Sequence, residues 1–144
     1  MPDSGADDQA AAFRDDVLAG LAASIPAIPA RWLYDRAGSE LFDAITRLPS
    51  YYPTRTETAL LKAIMPEAAA LIPEHAAVVE FGAGSATKTP ILLDAIRPAA
   101  YVPVDISGDY LAESAGQLSA DFPGLPVLPV TANFMSEFAL PEMI

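Results

Sequence analysis

The 144-residue sequence has no cysteine, which excludes disulfides and thiolate metal sites. Its single histidine, His75, is too few for a histidine-built metal site. Placed after Pro73-Glu74, it reads as an exposed turn residue, and no metal is expected. Basic residues are scarce: eight Lys and Arg stand against nineteen Asp and Glu, for a net charge of -11. Beyond Lys62 only Lys88 and Arg97 are basic, and none follows Arg97. Such a surface repels nucleic acid and anionic lipid, so neither is expected as a partner. No apolar run approaches the roughly 18 residues of a spanning helix. The first residues lack the basic start and apolar core of a signal peptide, so the expected location is cytoplasmic.

What is present is the composition of a globular domain, 52% hydrophobic and 19% charged, close to ordinary proportions. Residues 1–8 are small and acidic and are expected to form a disordered tail. Residues 9–75 read as a helical N-terminal cap. Phe13, Val17 and Leu21 recur every four positions, which suggests an amphipathic helix over about 9–23. The prolines of Ile25-Pro26-Ala27-Ile28-Pro29 make the next segment extended. Ser39 is a candidate N-cap for a short helix whose buried stripe is Leu41, Phe42, Ile45 and Leu48, stopped by Pro49. Thr54 and Glu57 have capping-box spacing and open a helix carrying Leu60, Leu61, Ile64 and Met65. Pro66 is expected to kink or restart it.

From residue 76 the pattern becomes strand and helix in alternation, the signature of an α/β, doubly wound parallel sheet. Strands are predicted at 77–81, 101–105 and 127–130, with helices near 87–96 and 108–119. Pro129 marks the third strand as edge or bulged. Three parallel strands leave an open apolar edge. Residues 76–144 therefore read as part of a sheet that a further segment, or a partner chain, completes.

The first strand ends in Glu80-Phe81-Gly82-Ala83-Gly84-Ser85, and Asp105 closes the second strand 23 residues after Gly82. Glycines after a strand let backbone approach a ligand, and an acid at the next strand end can take ribose hydroxyls. Gly82, Gly84 and Asp105 are thus candidate nucleotide-binding residues; the plainer alternative for the glycines is a tight strand-to-helix turn. Glu80 either brackets that turn or meets the ligand. Residues Gly82 to Thr89 fall one residue short of a phosphate loop, because Thr87 stands where glycine should precede Lys88. Lys88, at a helix start in a region nearly without bases, either reaches a ligand carboxylate or is a solvated surface lysine. Asn133 and Phe134 follow the third strand, where they can meet an adenine edge and face or form an ordinary loop. Trp32, Tyr34, Tyr51 and Tyr52 either shape a pocket or seat the cap on the sheet.

Together, Trp32-Leu33-Tyr34-Asp35, Gly38-Ser39-Glu40-Leu41-Phe42-Asp43, Ile45-Thr46-Arg47-Leu48-Pro49, Tyr51-Tyr52-Pro53-Thr54-Arg55-Thr56-Glu57 and Glu80 to Ser85 resemble the histidine-specific N-alpha-methyltransferases of ergothioneine biosynthesis. The resemblance covers about residues 13–134, and the segment Tyr51 to Glu57 is its most specific part. It implies a Rossmann-like S-adenosylmethionine domain and three methylations of the histidine alpha-amine, giving hercynine. By motif it places Gly82, Lys88 and Asp105 on S-adenosylmethionine, with Lys88 at its carboxylate and Asp105 at its ribose. Tyr34 would lie near the cofactor, Asn133 and Phe134 at adenine, and Tyr51 in the histidine pocket. No residue is expected to act as a covalent or acid–base catalyst. The family usually carries Asp where Asn133 stands. Its members are also about twice as long, so most of the acceptor pocket is expected outside this chain.

Overall fold

The computed structural model describes residues 4–142. The chain divides into two compact units, Met1–Asp35 and Arg36–Ile144. The two helices before the sheet fall within the second unit, where they lie against helices of the sheet.

The first unit holds helix α1 (Ser4–Ala22) and a short 3-10 turn, Ala30–Leu33. The helix begins inside the segment expected to be a tail, and residues 1–3 lie outside the described range. The run Ala10-Ala11-Ala12, without β-branched residues, propagates a helix readily. The proline segment folds back on α1. The Ala27 amide donates to the Gly20 carbonyl at 3.2 Å, Trp32 meets Phe13 edge-on at 5.2 Å, and Trp32 Nε1 donates to Asp16 at 2.7 Å. Arg31 pairs with the same carboxylate and lies over the indole ring, 5.1 Å from its centre.

The second unit runs α2 (Arg36–Thr46), α3 (Pro53–Ala69), β1 (Ala77–Phe81), α4 (Thr89–Ile96), β2 (Ala100–Asp105), α5 (Gly108–Asp121) and β3 (Val130–Thr131). The strands form one parallel sheet in the order β1-β2-β3, with Ala77 opposite Ala100 and Val104 opposite Val130. Central β2 is the core: Tyr101, Val102 and Val104 are wholly inaccessible to solvent. Leu93 of α4 and Leu118 of α5 pack with Tyr101, each such side chain contributing about 1.5–3 kcal/mol of burial. His75 occupies an exposed turn at φ 62° just before β1.

The third strand is split rather than continuous over 127–130. Leu128 donates to the Tyr101 carbonyl at 2.8 Å and Val127 bridges Tyr101; regular pairing resumes only at Val130. Two prolines explain the gap. Tyr101 and Asp105 bond toward the segment that holds β3, so by alternation Pro103 faces that segment too and has no N–H to give, and Pro129, just before β3, falls opposite it.

Two helix expectations are corrected. Helix α2 starts at Arg36, so Ser39 lies inside it, buried, and not at its cap. Its stripe of Leu41, Phe42, Ile45 and Leu48 is exposed, because α2 turns a polar face toward α5: Arg36 pairs with Glu113, Ser39 meets Ser107 at 3.4 Å, and Asp43 accepts from Tyr110. Helix α3 starts with Pro53 at its first turn, Tyr52 precedes it, and no side chain caps it. A proline supplies a preset φ there and lacks an N–H that would need a cap. The helix continues through Pro66 to Ala69. It buries Met65 and leaves Leu60 and Ile64 exposed. Among the described residues no helix is long and apolar enough to cross a membrane.

Candidate functional site

The turn after β1 is built from backbone that few residues tolerate: Gly82 has φ 73°, Gly84 φ 51° and Ala86 φ 51°. At the two glycines this left-handed conformation carries no Cβ penalty. Gly82 N donates to the Val104 carbonyl at 2.8 Å, so the turn curls over the end of β2. That brings the turn to Asp105, where β2 ends.

Asp105 joins the two loops at the strand ends. One carboxylate oxygen accepts from Gly84 N at 2.9 Å, and the other from Ser107 N at 2.9 Å. Each oxygen keeps a further lone pair for an outside donor. The Gly84 carbonyl is held as well, by Ser114 Oγ of α5 at 3.0 Å. Both polar groups of this one peptide position are therefore fixed. Below the turn, Glu80 Oε2 accepts from Tyr101 OH at 2.6 Å and from Thr89 Oγ1 at 2.8 Å. Glu80 therefore braces the start of α4 against the sheet. Burial, with the Glu80 hydrogen bond second, pushes the Tyr101 hydroxyl well above the usual tyrosine range, so it stays a neutral donor. Tyr110 is pushed up to about 12, first by burial and then by its hydrogen bond to Asp43.

Phe134 is brought to the same turn. A Cβ on Gly82 would stand 3.8 Å from its ring, and the ring lies 5.6 Å from that of Phe81. The Asn133 oxygen accepts from Met135 N at 3.1 Å, which shapes its own loop. Gly82, Gly84, Asp105 and Phe134 are thus assembled at one end of the sheet, with Asn133 beside Phe134. An open hollow between the C-terminal ends of α4 and α5, lined by Leu93, Arg97 and Phe122 among others, lies at the opposite end of the strands.

Lys88 stands at the N-cap position of α4, and its ammonium meets Glu57 of α3 at 2.6 Å. Glu57, read from spacing as a capping residue, is instead the partner of this lysine. Tyr51 precedes α3, with its ring edge-on to Phe42 at 6.1 Å. Tyr34 belongs to the other unit, where its amide donates to the Arg31 carbonyl at 3.4 Å. Sequence reading overlooked Ser114, Tyr110 and the main-chain contacts of Arg55. Only Arg55 carried a signal, its place inside the specific segment Tyr51 to Glu57.

Backbone opened by two glycines beside a strand-end carboxylate suits a ribose-bearing ligand. It suits a polyphosphate poorly, since the Gly84 amide that a phosphate would need is already given to a carboxylate.

A model for the family described as histidine-specific methyltransferase, SAM-dependent, matches residues 13–143. Histidine N-alpha-methyltransferase of Mycolicibacterium smegmatis is 41% identical over 133 residues, which are 90% of this chain and 41% of that protein. Histidine N-alpha-methyltransferase of Mycobacterium tuberculosis is 39% identical over 127 residues, 85% of this chain and 39% of that protein. Ergothioneine biosynthesis protein 1 of Neurospora crassa is 34% identical over 95 residues, 63% of this chain and 11% of that protein. The chain spans about two-fifths of the length of the two mycobacterial relatives. With a match across nearly its whole length, the chain belongs to the S-adenosylmethionine-dependent, histidine-specific methyltransferase family.

Proposed function

We propose that this chain binds S-adenosylmethionine at the Gly82–Gly84 turn and contributes to methylation of the alpha-amine of L-histidine, yielding hercynine in ergothioneine biosynthesis. The observation that carries the reading is the Asp105 carboxylate, fixed between the Gly84 and Ser107 amides where two strand-end loops meet.

The residues fit the cofactor. Gly82 and Gly84 leave the backbone uncovered, Asp105 offers free lone pairs for ribose hydroxyls, and Phe134 offers a ring face beside the turn for adenine. Tyr34 and Asn133 are assigned to the cofactor by family motif. Lys88 is assigned to its carboxylate, for which it must leave or share Glu57. The cofactor supplies a methyl group on a sulfonium. The chain's part is to align it with the acceptor; positioning of this kind can account for much of the acceleration without a covalent or acid–base residue. Tyr51 is assigned to the histidine pocket, where its hydroxyl would orient the amine. An acidic protein, with net charge -11, also suits a cationic donor.

Calorimetric titration with S-adenosylhomocysteine tests the reading, with magnesium-ATP as the control. Binding of the first alone is expected. A folded chain that binds neither, or binds magnesium-ATP instead, would sink it.

A further inference from the structure

The loop from the end of α2 to the start of α3 carries Tyr51, and its carbonyls converge on one side chain. Arg55, in the first turn of α3, donates from Nη1 to the Leu48 carbonyl at 2.9 Å and to the Tyr51 carbonyl at 3.1 Å. Its Nη2 donates to the Pro49 carbonyl at 2.6 Å. Leu48 and Pro49 follow the end of α2, and the Leu48 carbonyl also accepts from the Tyr51 amide at 3.1 Å, so the guanidinium reinforces a turn that the main chain already closes. The planar guanidinium spreads its donors over two nitrogens in a fixed fork that matches these three carbonyls, whereas an ammonium carries all its donors on one nitrogen. The Tyr51 ring is meanwhile steadied edge-on by Phe42. Main chain and ring are thus fixed from two sides. Two residues on, Glu57 holds Lys88, so this first stretch of α3 contacts both the loop bearing Tyr51 and the residue that starts α4.

We infer that Arg55 is a positioning residue for the acceptor amino acid. It holds the Leu48–Tyr51 loop in one conformation so that Tyr51 presents its side chain to the histidine amine already in place. The inference rests on the reading of Tyr51 as an acceptor-site residue. A bound amino acid then need not pay for ordering the loop, which raises its affinity without touching the cofactor turn.

The test compares the full chain with Arg55→Gln, Arg55→Lys and Tyr51→Phe. Each is titrated with S-adenosylhomocysteine, then with L-histidine, and amide exchange over residues 48–52 is followed by mass spectrometry. Arg55→Gln is expected to keep S-adenosylhomocysteine affinity within about twofold. It should lose histidine affinity by about tenfold or more and exchange residues 48–52 at least about tenfold faster. Arg55→Lys should fall between, and Tyr51→Phe should lose histidine affinity with exchange unchanged. Faster exchange with unaltered histidine affinity would reduce Arg55 to a structural brace, and unchanged exchange would remove even that. If Arg55→Gln does not fold, a folded Arg55→Lys that binds histidine as the parent does overturns the inference. A parent chain that binds S-adenosylhomocysteine but not histidine overturns it for this chain while sparing the cofactor site. A parent that binds neither overturns the cofactor reading itself, and the exchange data still decide whether Arg55 holds the loop.

Discussion

The Lys88 ammonium and the Glu57 carboxylate lie 2.6 Å apart and tie the start of α4 to the first turns of α3. Both side chains are partly exposed, so the pair adds on the order of 0–1 kcal/mol to stability. Its consequence is competition, because the same ammonium is assigned to the cofactor carboxylate. Glu57→Gln is expected to tighten S-adenosylhomocysteine binding by about two- to fivefold, the equivalent of releasing a pair of that strength. Lys88→Gln should weaken it by about tenfold or more, the worth of one charged hydrogen bond. Calorimetry on the two variants decides; opposite signs are required, and equal losses would show the two residues acting together.

Asp105 gives a sharper case, since its two oxygens are committed to two different loops. In Asp105→Asn one oxygen becomes an NH2 that faces a backbone N–H, leaving that donor unpaired. The expected cost is about 1–3 kcal/mol of stability. S-adenosylhomocysteine affinity should also fall by about tenfold or more, because an acceptor assigned to the ribose is lost together with the loop geometry. Urea unfolding and calorimetry are read on one preparation. Lost stability with unchanged affinity would confine Asp105 to holding the loops.

The sheet and its glycine turn were legible because parallel strands buried on both faces are short apolar runs, and Val78-Val79 and Val102 to Val104 read that way directly. Gly82, Gly84 and Asp105 declared themselves by spacing along that pattern. The faces of α2 and the partners of α3 did not. An apolar stripe such as Leu41, Phe42 and Ile45 reads as inward-facing, yet α2 meets α5 through Arg36, Ser39 and Asp43. Glu57 fits a cap by spacing, whereas its partner is 31 residues away. Long-range polar pairings leave no periodic trace in sequence, which is also why the Arg55 contacts went unread.

Gly20 tests the first unit separately. Within a helix, glycine to alanine ordinarily stabilises by about 1 kcal/mol. Here a Cβ would stand 1.9 Å from the Ala27 carbonyl oxygen, a backbone atom that must move. Gly20→Ala should therefore displace the proline segment and with it the turn bearing Trp32, which is held on Phe13 and Asp16. Trp32 is the sole tryptophan, so its emission reports this unit alone. A shift to longer wavelength is expected, and an unshifted, more stable variant would count against the packing described.

Tyr101 links the core to alkaline stability. Its hydroxyl is buried and donates to Glu80, so its folded pKa lies above the unfolded value near 10. For a group raised in this direction, the stabilisation is complete below pH 10. Above it the unfolded chain releases the phenolic proton while the folded chain keeps it, and stability falls as pH climbs. Tyr101→Phe removes both effects at once. At pH 7 the variant should be less stable by about 1–2 kcal/mol, because Glu80 loses a donor. Above pH 10 the parent should lose its advantage at up to about 1.4 kcal/mol per pH unit, so the two curves converge. Tyr110, raised to about 12, adds its own slope between pH 10 and 12 but does so in both proteins, and it cancels in the difference. Urea unfolding of the pair at pH 7, 10 and 11 measures this directly. A stability gap that stays constant through pH 11 would mean that the Tyr101 hydroxyl ionises in the folded protein as readily as in the unfolded chain.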